Sequence, residues 1–119
     1  GFHEYWLNET NSWIYPHLHK AAERMIDLAK REPADELEWR ALNQAARELL
    51  LAQSSDWAFI MRTGTMVPYA VRRTRSHLMR FTKLYEEINA GKIDSGWLEK
   101  VEALDNIFEK VNYRVYRPL

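Results

Sequence analysis

The chain has no cysteine, which excludes a disulfide framework and a thiolate nucleophile and fits a reducing compartment, so a cytoplasmic protein is expected. It has no apolar run near the ~20 residues that span a bilayer. Its first residues, Gly-Phe-His-Glu-Tyr-Trp, lack the charged and apolar regions of a signal peptide. A soluble protein without a membrane partner is expected. Net charge is missing as well: 17 basic and 17 acidic residues cancel, so no overall field steers the protein toward nucleic acid or an anionic surface. Glycine and proline number four each, and neither interrupts the stretch from Asp35 to Ala52.

What is present is one domain's length. At 119 residues folding should bury roughly two-thirds of the surface that the unfolded chain exposes, enough for a single core. There is no repeat, no low-complexity tract and no linker long enough to divide two domains, so residues 1–119 are expected to form one helical domain. The chain opens on glycine rather than methionine, with aromatic residues following at once, and is expected to be a piece of a longer polypeptide.

Periodicity supplies the fold class. Ile14, Leu18, Ala21, Met25 and Leu28 step by four, three, four and three, one face of a helix that Asn11 or Ser12 can cap and that Pro16 tolerates in its first turns. Lys30-Arg31-Glu32 and Pro33 end it. A second helix starts near Asp35, places Leu42, Ala46, Leu49, Leu50 and Gln53 on or beside one face, and runs at least to Ala52. Thr63-Gly64-Thr65 breaks the pattern, and Thr65 can cap a third helix with Pro68 early and a buried stripe of Val71, Leu78, Phe81, Tyr85 and Ile88. Gly91 suits the position past its C-terminus. Asp94 or Ser95 caps a short fourth helix with Leu98, Val101 and Leu104 on its apolar side, before a tail whose alternation is too brief for a sheet. The expected fold is all-α: a helical bundle of three long helices, a short fourth and an irregular C-terminal tail.

Several residue sets are candidates for chemistry. His17 and His19 are two apart, roughly 200° around a helix, and cannot both face one metal ion; His19 and Glu23 share a face but supply no third ligand. Metal catalysis is therefore rejected, and no cofactor is expected. Arg72, Arg73, Arg75, Arg80 and Lys83, with Tyr69 and Tyr85 among them, could suggest a phosphate-binding face. Zero net charge favours a solvated, salt-bridged helix face instead, with acids such as Glu36 and Glu38 as partners. Trp39 and Trp97 have no convergent polar set nearby and read as partly buried packing residues.

One segment differs. Gln53, Ser54, Ser55, Asp56 and Trp57 put an amide, two hydroxyls and a carboxylate beside an indole at the expected end of the second helix. Planar hydrogen-bonding groups suit sugar hydroxyls, and an aromatic face suits the apolar side of a pyranose. Asp56 reads as a ligand holder, or else as a helix C-terminal turn residue bonded to nearby backbone. Trp6 and Trp13, in a segment too polar for simple core, read either as packing rings closing the bundle's end or as a stacking platform. Glycoside cleavage usually needs two carboxyl groups, about 5 Å apart in retaining enzymes, and no such pair is identifiable.

Taken together, Trp6-Leu7-Asn8 through Trp13-Ile14-Tyr15-Pro16-His17-Leu18-His19, Ala41-Leu42-Asn43-Gln44 through Ala52-Gln53-Ser54-Ser55-Asp56-Trp57, and Asp105-Asn106-Ile107-Phe108 resemble the C-terminal helical domain of glycoside hydrolase family 57 1,4-alpha-glucan branching enzymes, over essentially the whole chain. The resemblance implies a parent enzyme that cuts an α-1,4 linkage and transfers the freed glucan segment to a 6-hydroxyl, as in glycogen biosynthesis. It implies a catalytic barrel in the same polypeptide carrying the nucleophile and acid/base. It also implies that Trp6, Trp13, Gln53, Asp56 and Trp57 help shape the α-glucan cleft. The isolated chain would then be catalytically silent, with an apolar docking surface through which it could self-associate. The competing expectation is a free-standing helical interaction module that binds a protein helix.

Overall fold

The structure, a computed structural model, describes the backbone over residues 14–63 and 68–118 and the side chains over 14–54 and 70–118. Its α-helices are α1 (Ile14–Ala29), α2 (Glu36–Thr63), α3 (Pro68–Ala90) and α4 (Ser95–Leu104), followed by a 3₁₀ turn over Tyr113–Tyr116. The all-α bundle expected from periodicity is the architecture found. At 1.5 Å per residue the 28 residues of α2 set the long dimension of a body measuring 50 × 31 × 24 Å. None of the described helices is long and apolar enough to cross a membrane.

Helix α1 turns Ile14, Ala21, Met25 and Leu28 inward, with Leu18 half-buried at the edge of the stripe. The exit of α1 is closed by Lys30 and Arg31 N–H groups on the Asp27 and Leu28 carbonyls. Asp35 then caps α2: its Oδ1 accepts from the Glu38 N–H at 2.8 Å, and Glu36 and Glu38 in the first turn favour the positive helix end. Leu42, Ala45, Ala46, Leu49 and Ala52 form the seam of α2, and Phe81, Leu84 and Ile88 of α3 meet it within one core. Further expected core positions sit nearer the surface: Val71 and Tyr85 of α3 are half-buried, and Leu104, the last residue of the short α4, is 65% exposed.

Two chain reversals follow the residues anticipated for them. Asp94 caps α4, its Oδ1 accepting from the Trp97 N–H at 3.0 Å, and Gly91 takes φ +70° past the end of α3. A Cβ added at Gly91 would meet nothing within 4 Å, so Gly91→Ala isolates the backbone cost of left-handed φ. We expect a loss of roughly 1 kcal/mol, read as a shift in the urea midpoint at unchanged slope.

The tail, expected to be irregular, closes into a 3₁₀ turn capped by Asn112, whose Oδ1 accepts from the Arg114 N–H at 2.9 Å. It lies against α1 and α2, where Asn43 Oδ1 takes the Tyr113 N–H at 2.9 Å and Arg117 donates to the Arg31 carbonyl at 3.0 Å. Arg114 and Arg117 both reach Glu32, and these hydrogen bonds, Arg117 first, lower the Glu32 carboxyl below its ordinary range. Trp39 and Trp97 are half-buried, as their lack of polar neighbours suggested. Arg114 stacks over Trp39 at 5.0 Å and Lys83 over Trp97 at 4.8 Å.

Candidate functional site

The segment singled out for carbohydrate contact lies within α2, not at its end. The helix runs past Trp57 to Thr63, because the sequence offers no glycine or proline before Gly64 and serine or aspartate in a helix interior costs only tenths of a kcal/mol. The alternative for Asp56 as a residue of the helix's C-terminal turn is thereby overturned. Gln53 is exposed on α2, and Ser54 beside it is exposed too. The side chains of Ser55, Asp56 and Trp57, and residues Trp6 and Trp13 entirely, lie outside the described residues.

A second constellation, which sequence reasoning missed, lies earlier on the same helix. Gln44, Arg47 and Glu48 occupy i, i+3 and i+4 and are all buried, Gln44 and Glu48 completely. Opposite them on α3 is His77, 3% exposed, with Nδ1 at 2.8 Å from Glu48 Oε1 and 3.6 Å from Asp105 Oδ2. Arg80, one turn on, donates to Asp105 Oδ2 at 2.8 Å. Gln44 Nε2 donates to Glu48 Oε2 at 2.9 Å and to the Asp105 carbonyl at 3.2 Å, while its Oε1 accepts from Arg47. Arg47 also reaches the Phe108 and Glu109 carbonyls, each at 3.3 Å. Burial pushes the Glu48 carboxyl up to about 7; the His77 contact opposes that rise and Asp105 adds to it. The signal was present in the pattern: Gln44 and Glu48 fall among Leu42, Ala45, Ala46 and Leu49, core positions where a polar group must find partners.

His77 and Asp105 also reach the wall of a cleft of about 620 Å³, whose other lining residues include Leu51 of α2, Arg72 and Ser76 of α3, and Ile107. Two chemical uses of the network can be tested against its geometry. Ligand atoms of Glu48, His77 and Asp105 lie within 4.8 Å of one another, a separation near that of the two carboxyl groups of a retaining glycosidase. Glu48 is wholly buried, however, and cannot reach an anomeric carbon. The same set has metal-ligand types, but each carboxylate already receives protein donors. A cation would have to displace Arg80 from Asp105 and Gln44 from Glu48, so a hydrogen-bonded network accounts for the arrangement better.

The remaining candidates resolve simply. His19 Nε2 lies 3.1 Å from Glu23 Oε1 in an exposed pair. Among the basic residues of α3, Arg80 pairs with Asp105 and Lys83 with Glu87 of its own helix. Of the acids expected to serve them, Glu38 pairs instead with Arg31 at 3.2 Å.

Comparison with known proteins supplies the identity that geometry alone does not. Residues 17–116 match the family model described as 1,4-alpha-glucan branching enzyme, C-terminal. A 1,4-alpha-glucan branching enzyme of Thermococcus kodakarensis is 39% identical over 114 residues, 92% of this chain. The crystal structure described as the novel alpha-amylase AmyC from Thermotoga maritima superimposes with a TM-score of 0.81 at 51% identity over 94% of the chain. The chain spans only 17% of that branching enzyme and 22% of the amylase chain. By the family match and the 39% identity, the chain belongs to the family of 1,4-alpha-glucan branching enzyme C-terminal domains.

Proposed function

We propose that this chain is the part of a cytoplasmic, glycoside hydrolase family 57 α-glucan branching enzyme that shapes the substrate cleft, with bond cleavage carried out by a catalytic barrel elsewhere in the same polypeptide. The observation that carries this reading is the family match over residues 17–116. Exposed Gln53 supports it. The helical backbone through position 57 puts positions 53, 56 and 57 at i, i+3 and i+4, one face of α2, the register a glucan-contacting strip needs. Transfer requires that a sugar hydroxyl reach the intermediate before water does, so walls that hold an acceptor and exclude solvent act directly on the partition between transfer and hydrolysis. Trp6, Trp13, Gln53, Asp56 and Trp57 are the residues assigned to that wall. Two tasks, sugar stacking and hydroxyl recognition, divide between the indoles and the polar pair.

The likeness to a protein described as an alpha-amylase favours a second reading, in which the parent polypeptide mainly hydrolyses. One experiment separates them. Maltooligosaccharide is titrated while tryptophan fluorescence is followed, with the chain alone and with the barrel supplied separately. Saturable quenching, weakened about tenfold or more in Trp57→Ala with folding retained, is the expected result, since one stacked ring plus its buried area is worth on the order of 1–3 kcal/mol. Counting α-1,6 branch points against new reducing ends in the reconstituted mixture then distinguishes transfer from hydrolysis. No fluorescence response with the barrel present rules the cleft role out.

A further inference from the structure

The segment Asp105 to Glu109 is held against the bundle by side chains of two helices rather than by its own packing. Arg47 reaches the carbonyls of Phe108 and Glu109, Gln44 that of Asp105, and Arg80 the Asp105 carboxylate. Phe108 is strained: its φ is +63°, a region that a bulky L-residue enters only when its surroundings impose it. Its side chain is 45% exposed, so ring burial does little to hold it there. We propose that Glu48, His77 and Asp105 form a proton-operated latch, which keeps the 105–109 segment closed on α2 and α3 while the Glu48 carboxyl holds a proton and releases the segment when that proton leaves.

The charges around the pair explain why a proton should matter. Helix α2 contributes Arg47 and Glu48, helix α3 contributes His77 and Arg80 with Arg72 and Arg73 further out on the cleft wall, and the segment after α4 contributes Asp105. Arg47 uses its donors on Gln44 and on backbone carbonyls, which leaves Arg80 as the cation bonded to a carboxylate of the cluster. With both carboxyls ionised, Arg47 and Arg80 balance Glu48 and Asp105 in number, but the two carboxylates lie within 4.8 Å of each other and Arg80 bonds to Asp105 rather than to Glu48. One proton on the Glu48 carboxyl removes that repulsion, and Asp105 accordingly raises Glu48. Burial, which raises the Glu48 carboxyl to about 7, brings the exchange of this proton to neutral pH.

When the proton leaves, the mobile partner is the one on a short connection. Glu48 and His77 sit in the middle of long helices, whereas Asp105 follows the last residue of α4 and its side chain is 11% exposed. Rotation of Asp105 toward water carries it away from the Glu48 carboxylate and relieves the repulsion between the two. The carbonyl bonds to Gln44 and Arg47 then lose their anchor and Phe108 can relax. Because Ile107 and Asp105 line the 620 Å³ cleft, that release also changes the shape of the cleft. The sign is consistent: the closed state binds the proton more tightly than the open state, so raising the pH favours opening.

Amide hydrogen exchange tests the latch in the protein as it stands. For residues 105–111, after division by the intrinsic chemical rate, the opening constant should rise about tenfold from pH 6 to pH 8, the ratio expected when one group titrating near 7 in the closed state is unprotonated throughout in the open state. Amides of the α2 seam should not change in step. In Glu48→Gln, which removes the titrating carboxyl, the opening constant should change by less than about twofold over the same range. An equal pH slope in Glu48→Gln and wild type, or no slope in wild type, overturns the proposal. Should Glu48→Gln fail to fold, carboxyl carbon resonances of the wild type decide: a glutamate titrating between pH 6 and 8 supports the latch, and glutamates that all titrate below pH 5.5 overturn it.

Discussion

Replacing Tyr113 with alanine should cost about 4 kcal/mol of folding free energy, while Tyr113→Phe should cost about 1 kcal/mol. Tyr113 heads the fully buried side chains by volume. Its ring meets Trp39 edge-on, with centroids 5.7 Å apart and planes at 79°, and Arg114 and Arg117 cover it at 5.1 and 5.9 Å. Alanine removes all of this and opens a cavity between the tail, α1 and α2 that the surrounding helices cannot collapse to fill. Phenylalanine keeps the packing and deletes only the hydroxyl, which donates to the Arg31 carbonyl where α1 hands over to the connection into α2. A protein of this size has roughly 5–15 kcal/mol in total, so the alanine variant should have lost a large part of it. Urea denaturation of the three proteins gives both numbers. If alanine and phenylalanine shift the midpoint equally, the ring does not hold the tail in place and only the hydroxyl matters.

That tail shows where the sequence was readable and where it was not. The four helices were legible because each announces itself locally: Ile14, Ala21, Met25 and Leu28 keep a period near 3.6, Asp94 and Gly91 punctuate, and Pro68 sits where its fixed φ is harmless. Tyr113 carried no such sign, since a 3₁₀ turn of four residues has no periodicity and its partners, Asn43 and Arg31, are 70 and 82 positions away. The true end of α2 was hidden for a related reason. Serine and aspartate at 54–56 suggest a cap or a turn, but they do so only when the backbone leaves the helix there, and nothing in their neighbours compels it. The buried network was half visible. Glu48 and His77 could have been marked as polar residues in core register, but their meeting depends on how α2 lies across α3, a long-range fact. Asp105 was noticed only as part of a resemblance. The proposed carbohydrate-facing role of Trp6, Trp13, Asp56 and Trp57 rests on the resemblance and on their chemistry, and exposed Gln53 is the described member of the set.

The stability of the wild type relative to Glu48→Gln should fall by about 3 kcal/mol between pH 4.5 and 8, because each pH unit separating the folded from the unfolded titration point is worth about 1.36 kcal/mol. Glu48 ordinarily titrates at 4.5 and is raised to about 7 in the folded chain, first by burial. A raised folded value means that the native state holds the proton more firmly than the unfolded state does. Its favourable contribution is therefore complete below pH 4.5, shrinks as the unfolded carboxyl ionises, and is gone once the pH has risen through 7. Glutamine cannot ionise and shows none of this. Carboxylates whose folded values are lowered, such as Glu32 under Arg117 and Arg114, act in the opposite sense and lose their contribution as the pH falls. They lie on the far connection, keep the same partners in both proteins, and cancel in the difference. The relevant quantity is how many protons the chain takes up on folding. Urea curves for both proteins at half-unit steps from pH 4.5 to 8 give it directly. A difference that stays flat across that range would mean that Glu48 is already ionised at pH 4.5 inside the bundle, and that Gln44, His77 and Arg80 compensate its charge far better than their geometry indicates.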